Sequence, residues 1–243
     1  MSNTAYELWL IWQNPSSRQR YHVGNLVHTL SGYTFKYTKE GPRTLEDALK
    51  DGYVPHLSFP DLNKEYQSNS LFAAFSRRLP DTKRSDFKDI LKILGLSSDY
   101  TVMDLLRATG GRLATDSYEF VVPVNLRSGH FVIDFYVAGW RYYEGDSVSQ
   151  YLKVGDRIKL ELEPSNKRDP NAILILSIGD KRLGYVPTYY SWFLSEAMNT
   201  HSGYDAIIEE YNPNLDYRER LKVQVTGTIL RNPHTFLTQL VTA

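Results

Sequence analysis

The sequence predicts an α+β first half followed by a mainly β second half that closes into a small barrel or a strongly curved sheet. Three observations predict it. Strand-like segments open the chain and helical spacing follows them, which is α+β ordering. From Ser117 onward the apolar period returns mostly to two, and short strand candidates sit close to turn signals. Apolar residues make up 42% and aromatics 13% of 243 residues, enough for a core in a length that suits one large domain or two small ones. The 18 tyrosines fit this picture, because tyrosine favours strands and half-wet interfaces.

In the first half, Tyr6 to Trp12 is aromatic and apolar and reads as a strand, and Asn14-Pro15-Ser16-Ser17 is a turn. Arg20 to Leu30 alternates loosely, with Tyr21, Val23 and Leu26 toward a core. Tyr33, Phe35 and Tyr37 share one face of a cleaner strand, completing an antiparallel meander. Thr44 opens a short helix with Asp47 at the capping-box position, and Asp51-Gly52 closes it. Leu71, Phe72 and Phe75 then take helical spacing up to Pro80. Ser85 caps a helix with Phe87, Ile90, Leu91 and Leu94 inward and Gly95 at its end. Asp99 or Thr101 caps another, with Val102, Leu105 and Leu106 inward and Gly110-Gly111 as its C-cap.

Ser117 to Val124 is again strand-like. Asn125 to Gly129 is polar and turn-forming, so the division is drawn there, into residues 1–125 and 126–243. Strands are expected at His130 to Ala138, Arg157 to Leu162, Ala172 to Ser177, Leu183 to Val186 and Leu221 to Leu230. A helix is expected over Ser191 to Met198, with Trp192, Phe193 and Met198 inward. No internal repeat or low-complexity tract is present.

Composition narrows function. Lys+Arg and Asp+Glu are 28 each, which argues against coating nucleic acid by bulk charge. Zero cysteine excludes disulfides, Cys-ligated zinc, iron–sulfur clusters and a thiol nucleophile. No apolar run approaches the roughly 20 residues of a membrane span, and no secretory signal opens the chain, so a soluble cytoplasmic protein without membrane partners is expected. His22, His28, His56, His130, His201 and His234 are scattered without metal-ligand spacing. No nucleophile elbow or phosphate-cradling glycine loop occurs, and Asp134-Phe135-Tyr136 sits in a strand pattern, not a kinase metal loop. The expectation is a non-enzyme without cofactor or metal. Six acidic residues against one basic lie between Glu196 and Glu219. This stretch reads as a solvated loop and helix rather than a partner-binding flap.

The second half carries three spaced blocks: Val137 to Tyr143 (VAGWRYY), Glu163 to Ile173 (EPSNKRDPNAI) and Leu183 to Pro187 (LGYVP), with Val154-Gly155-Asp156 between the first two. In this order they resemble the HIRAN domain over about residues 131–198, with the last strand closing it. The resemblance implies an OB-like barrel that grips the free 3′ end of single-stranded DNA. It places Arg141, Tyr142, Arg168 and Asp169 in the pocket. An aromatic ring there would stack on a base, an arginine would meet phosphate, and the aspartate would accept from the terminal 3′-hydroxyl. Tyr143 and Lys167 join this group. The chain departs from the pattern where Lys167-Arg168 replaces an aromatic residue before the aspartate, and where Tyr185 and Thr188 follow Gly184. A structural role stays open beside the binding one for Arg168, Asp169 and Tyr185. Asn171 and Ala172 read as turn and core.

The first half more weakly resembles the N-terminal subdomain of HipA-type toxin kinases, through Val23 to Leu26, Leu57 to Pro60, Phe72 to Pro80 and Leu105 to Gly111. A kinase core is missing. The resemblance implies docking to a kinase toxin or another protein, or a second nucleic-acid contact; Arg77, Arg78, Lys83 and Arg84 form a local basic patch that reads as a solvated helix end rather than a DNA contact. Two functions follow. One is a non-catalytic binder of single-stranded DNA in repair or in defence against mobile DNA, with a helicase or nuclease as partner. The other is a regulatory partner of a HipA-type kinase.

Overall fold

The computed structural model describes residues 5–39, 41, 43–200 and 203–229. His201, His234 and Leu230 of the expectations above lie outside them. The chain divides into two compact units between Pro123 and Val124. The fold class is the predicted one: strands with helices first, then mainly β structure.

In the first unit, β1 (Tyr6–Gln13), β2 (Arg20–Thr29) and β3 (Gly32–Tyr37) form the predicted meander. β4 (Tyr66–Ser68) and β5 (Tyr118–Val121) extend it to a five-stranded sheet of order β4-β3-β2-β1-β5. Alternation decides the core face: Leu8, Leu10, Val23, Leu26, Phe35 and Tyr37 are buried together. Helices α1 (Leu45–Lys50), α2 (Ala73–Ser76), α3 (Phe87–Ile93) and α4 (Val102–Thr109) follow. Leu45, Phe75, Met103 and Leu106 pack from them into the same core, where the Phe35 ring lies 4.5 Å from Phe59 and 5.3 Å from Phe75.

Three local expectations are corrected, while the expected cap at Thr101 is present. Thr44 does not cap α1; its hydroxyl donates to the Lys39 carbonyl at 3.2 Å. The capping box belongs to α4, where Thr101 Oγ1 accepts from the Asp104 N–H at 3.1 Å and Asp104 Oδ2 accepts from the Thr101 N–H at 2.8 Å. The helix before Pro80 is one turn, Ala73–Ser76. In α3, Phe87 is buried, but Ile90 and Leu91 are half-buried and Ile93 is 78% exposed.

The second unit opens with β6 (Asn125–Arg127), the segment expected to be a turn. It pairs with β7 (His130–Tyr136) because Ser128-Gly129 makes a tight hairpin with both φ values positive. A 3-10 turn (Trp140–Tyr142), α5 (Gly145–Val148) and a second 3-10 turn (Ser149–Tyr151) come next. Then follow β8 (Lys159–Leu162), β9 (Ile173–Leu176), β10 (Arg182–Tyr185), α6 (Thr188–Asn199), β11 (Tyr204–Tyr211) and β12 (Leu221–Thr228).

Two sheets, β11-β12-β7-β6 and β10-β9-β8, are closed into a barrel by two isolated bridges, Ala138 to Tyr185 and Arg157 to Ile207. At the first, Ala138 and Tyr185 exchange N–H···O bonds of 2.9 and 2.8 Å. Gly184 makes that approach possible: its φ is +144°, and a Cβ there would lie 2.4 Å from the Ala138 carbonyl oxygen. Phe131, Ile133 and Phe135 point inward from β7, while Val132 between them is 54% exposed. Helix α6 fills the barrel from one side, with Phe193 5.1 Å from Phe131 and Tyr190 6.0 Å from Phe135. Of the residues expected inward on α6, Phe193 is buried and Trp192 and Met198 are half-buried. The larger miss is β11, a full strand inside the stretch read as an acidic loop.

Candidate nucleic-acid interface

The first block leaves β7 at the barrel rim. Gly139 takes a left-handed φ of 85° and starts the 3-10 turn. That turn buries its first residue and exposes the next two. Trp140 is 1% exposed, while Arg141 is exposed and Tyr142 is 69% exposed. Trp140 anchors the turn: its Nε1–H donates to Asp146 Oδ1 at 2.8 Å, and its ring lies 6.1 Å from Tyr211. Asp146 is itself paired with Arg220 at 2.7 Å, which ties the turn to the β11–β12 connection. Gly145 is required beneath the indole, since a Cβ there would come within 2.4 Å of the Trp140 ring.

The β11–β12 connection supplies partners that the sequence reading did not include. The Arg141 guanidinium sits 4.6 Å from the Tyr142 ring centroid and 4.9 Å from that of Tyr217. It also donates to both phenol oxygens, at 3.2 Å to Tyr217. Arg218 lies over the far ring at 5.4 Å. A ladder of Tyr142, Arg141, Tyr217 and Arg218 results, alternating flat π faces with planar cations. The readable signal was the Tyr217-Arg218 pair, which was absorbed into an acidic segment.

The second and third blocks meet in another group. Asn166 Oδ1 accepts the N–H groups of Arg168 at 2.9 Å and Asp169 at 3.3 Å, an Asx turn that leaves Lys167 and Arg168 exposed. Glu163 Oε2 accepts from Asn166 Nδ2 at 2.6 Å and from the Tyr185 hydroxyl at 2.7 Å. Tyr185 in turn stands edge-on to Tyr143, with centroids 5.5 Å apart. These donors hold the Glu163 carboxyl below its ordinary range, the Tyr185 hydroxyl first and the Asn166 amide second. Tyr185 is pushed up, by burial first and then by its bond to Glu163.

The expected site residues therefore separate. Arg141 and Tyr142 are brought onto Tyr217, and Tyr143 and Tyr185 onto Glu163 and the loop that carries Lys167 and Arg168. One expectation, Thr188, is corrected, and Asp169 shows the structural role that was left open beside its binding one. Asp169 is 5% exposed. Its Oδ1 accepts from the Asn171 N–H at 3.0 Å and its Oδ2 from Ser191 Oγ at 2.8 Å, so it locks the loop to α6. Thr188 is the first residue of α6, and its Oγ1 is shut away from solvent and without a hydrogen-bond partner. It offers no hydroxyl to a phosphate at the surface. Asn171 accepts from Ser195 Oγ at 3.2 Å and Ala172 is 6% exposed, the turn and core roles expected of them.

Among the described residues no group of three or more His, Asp or Glu side chains could hold a metal ion, and no helix is long and apolar enough to cross a membrane. No curated protein matches the chain. Among solved structures, the crystal structure of a protein from Lactobacillus plantarum, a structural-genomics target, is 22% identical with a TM-score of 0.35, covering 41% of this chain and 97% of that one. The crystal structure of the HIRAN domain of human HLTF is 17% identical with a TM-score of 0.36, covering 47% of this chain and 93% of that one. The family comparison falls on the barrel: residues 130–229 match the family model of the HIRAN domain, and the second unit is similar to that family over this range.

Proposed function

We propose that the second unit binds single-stranded DNA at its free 3′ end and does so without catalysis. The observation that carries this reading is the HIRAN match over residues 130–229. The barrel rim supports it chemically. Tyr142 offers an exposed ring for stacking on a base, which is sequence-tolerant because every base has a π face. Arg141, Arg168 and Lys167 provide cations for the few phosphates next to the end. Tyr143 and Tyr185 form an apolar wall with a polar edge beside them. Work on DNA ends in repair, or in defence against mobile DNA, is the role that fits such a module.

Anisotropy with 5′-labelled single strands tests the reading. Strands ending in a 3′-hydroxyl should bind more tightly than the same strands ending in a 3′-phosphate or closed into a circle. Equal affinity for all three would remove end recognition.

For the first unit, a protein-docking role is favoured by α3. Its Ile93 is 78% exposed, and Lys88 and Lys92 on the same helix are exposed too. Docking to a HipA-type kinase is the form suggested by the sequence resemblance. Co-purification of the full chain with such a kinase, lost on Ile93→Asp, tests it.

A further inference from the structure

We infer that Arg182, on β10, is a phosphate contact of the bound single strand, and that Thr188 takes no part in one. The inference rests on the DNA reading above and adds to that site a cation that the three sequence blocks do not contain.

β10 places this side chain at the site. Its register shifts between Arg182 and Gly184. The bulge turns Leu183 and Gly184 both inward, where each is buried, and leaves Arg182 exposed and Tyr185 half-buried. Arg182 also lies where β10 meets the end of the first block. The Glu144 N–H donates to the Arg182 carbonyl at 2.9 Å, and the Arg182 N–H donates to Glu144 Oε2 at 3.1 Å. Its backbone is therefore fixed beside Tyr143, whose ring stands against Tyr185.

The side chain is anchored at its root and open at its tip. Among the described residues the Arg182 guanidinium makes no hydrogen bond, ion pair or ring contact. The neighbouring carboxylates have other partners. Glu144 takes the Lys181 ammonium at 2.9 Å, and Glu163 takes the Tyr185 hydroxyl and the Asn166 amide. The Arg182 charge still reaches both. Glu163 is held low by Tyr185 first and Asn166 second, with that charge adding to them; Glu144 is held low by Lys181 first and the Arg182 N–H second, with the same charge adding. The guanidinium thus lies beside the group that holds Tyr143, Tyr185 and Glu163, with its donors unused. It presents a planar fork that fits two oxygens of a phosphodiester. The alternatives nearby do not. Lys181 is engaged by Glu144, and Thr188 Oγ1 is shut away from solvent at the start of α6. A strand whose sugar rests on the Tyr185 ring brings its backbone to this fork.

The test uses the full chain and 5′-labelled single strands. Open and circular strands are compared first: equal binding removes the end reading, and Arg182 is then judged from the affinity and salt slope of R182Q alone. Next come strands with one neutral methylphosphonate linkage, moved back from the 3′ end over the last three linkages. At one position wild type should lose about fivefold in affinity, as expected for one exposed charge-assisted contact. R182Q should bind the unmodified strand about fivefold more weakly, and should lose only about twofold or less at that same position. Its slope of log affinity against log salt should be shallower by about 0.7. K181Q and T188V should bind as wild type does, and R182Q should melt with wild type, since only its backbone is engaged by the fold. R182Q binding as tightly as wild type overturns the inference. So does R182Q keeping the full wild-type sensitivity at every linkage, a flat linkage profile in an end-selective wild type, or a loss in T188V as large as that in R182Q. If wild type binds no single strand at all, the DNA reading falls instead, before any variant is measured.

Discussion

Tyr142 gives one face of its ring to Arg141 and keeps the rest at the surface, 69% exposed. Such a ring can take a base without moving any packed group. Base–aromatic stacking is worth about 1–3 kcal/mol, so Tyr142→Ala should weaken single-strand binding by about tenfold or more in an anisotropy titration. The fold should be untouched, because nothing in the core leans on that ring. Tyr217→Ala should weaken binding by a comparable factor, since it removes the second face against which Arg141 lies. The Arg141-Tyr142 pair could be named from the sequence through its block. Tyr217 could not, because its place beside Arg141 is made by the β11–β12 connection. In the first unit, His22 stacks on Trp9 at 4.5 Å and bonds to Asn25, and burial pulls its pKa down to about 4. Its imidazole stays neutral in the folded state while the unfolded chain protonates near pH 6.5. The unfolded state therefore binds more protons between these values, and stability falls as pH drops from about 6.5 to about 4. His22→Gln should flatten that part of the melting-temperature profile, whatever it does to the neutral-pH value.

At the scale of elements, the loop from Glu163 to Asn171 shows how one segment sorts its side chains. The Asx turn at Asn166 turns Lys167 and Arg168 outward and Asp169 inward, and α6 receives Asp169 through Ser191 and Asn171 through Ser195. Ser191→Ala would remove one hydrogen bond to a buried carboxylate, a cost of about 1–3 kcal/mol. The second unit should then melt about 5 °C or more lower, with weaker DNA binding as the loop loosens. Strand β11 marks where pattern reading stopped. Its run Tyr204 to Tyr211 holds Asp205, Glu209 and Glu210 around the buried Ala206 and Ile208, and the charges outweighed the short alternation. In the fold Lys222 on β12 answers Glu209 and Glu210, and Arg157 answers Asp205 at 3.4 Å. Lys222 lies 3.1 Å from Glu209, 3.2 Å from Glu210 and 3.3 Å from Asp134. Burial alone would lower the lysine's pKa, yet the three carboxylates raise it. A strand that carries repelling charges becomes tolerable once a neighbour supplies the counter-ion, and no local window shows that neighbour.

At the scale of the molecule, equal counts of acidic and basic residues limit how nucleic acid can be held. A site that engages about two or three phosphates gives a slope of log affinity against log salt of about −2 for single strands. A measured slope steeper than about −5 would mean a long electrostatic track and would contradict an end-binding pocket. The sequence by itself determined the change from α+β to mainly β structure, because hydrophobic period and turn residues are local. It also determined the three blocks that point to the barrel, since their residue types and spacing are read along the chain. Tertiary structure decided barrel closure, which depends on the Ala138–Tyr185 and Arg157–Ile207 bridges between segments far apart in sequence. It also decided how Asp169 is held: the Asx turn at Asn166 is local, but the partner that receives the buried carboxylate, Ser191, lies 22 residues farther along the chain and is brought there by the packing of α6.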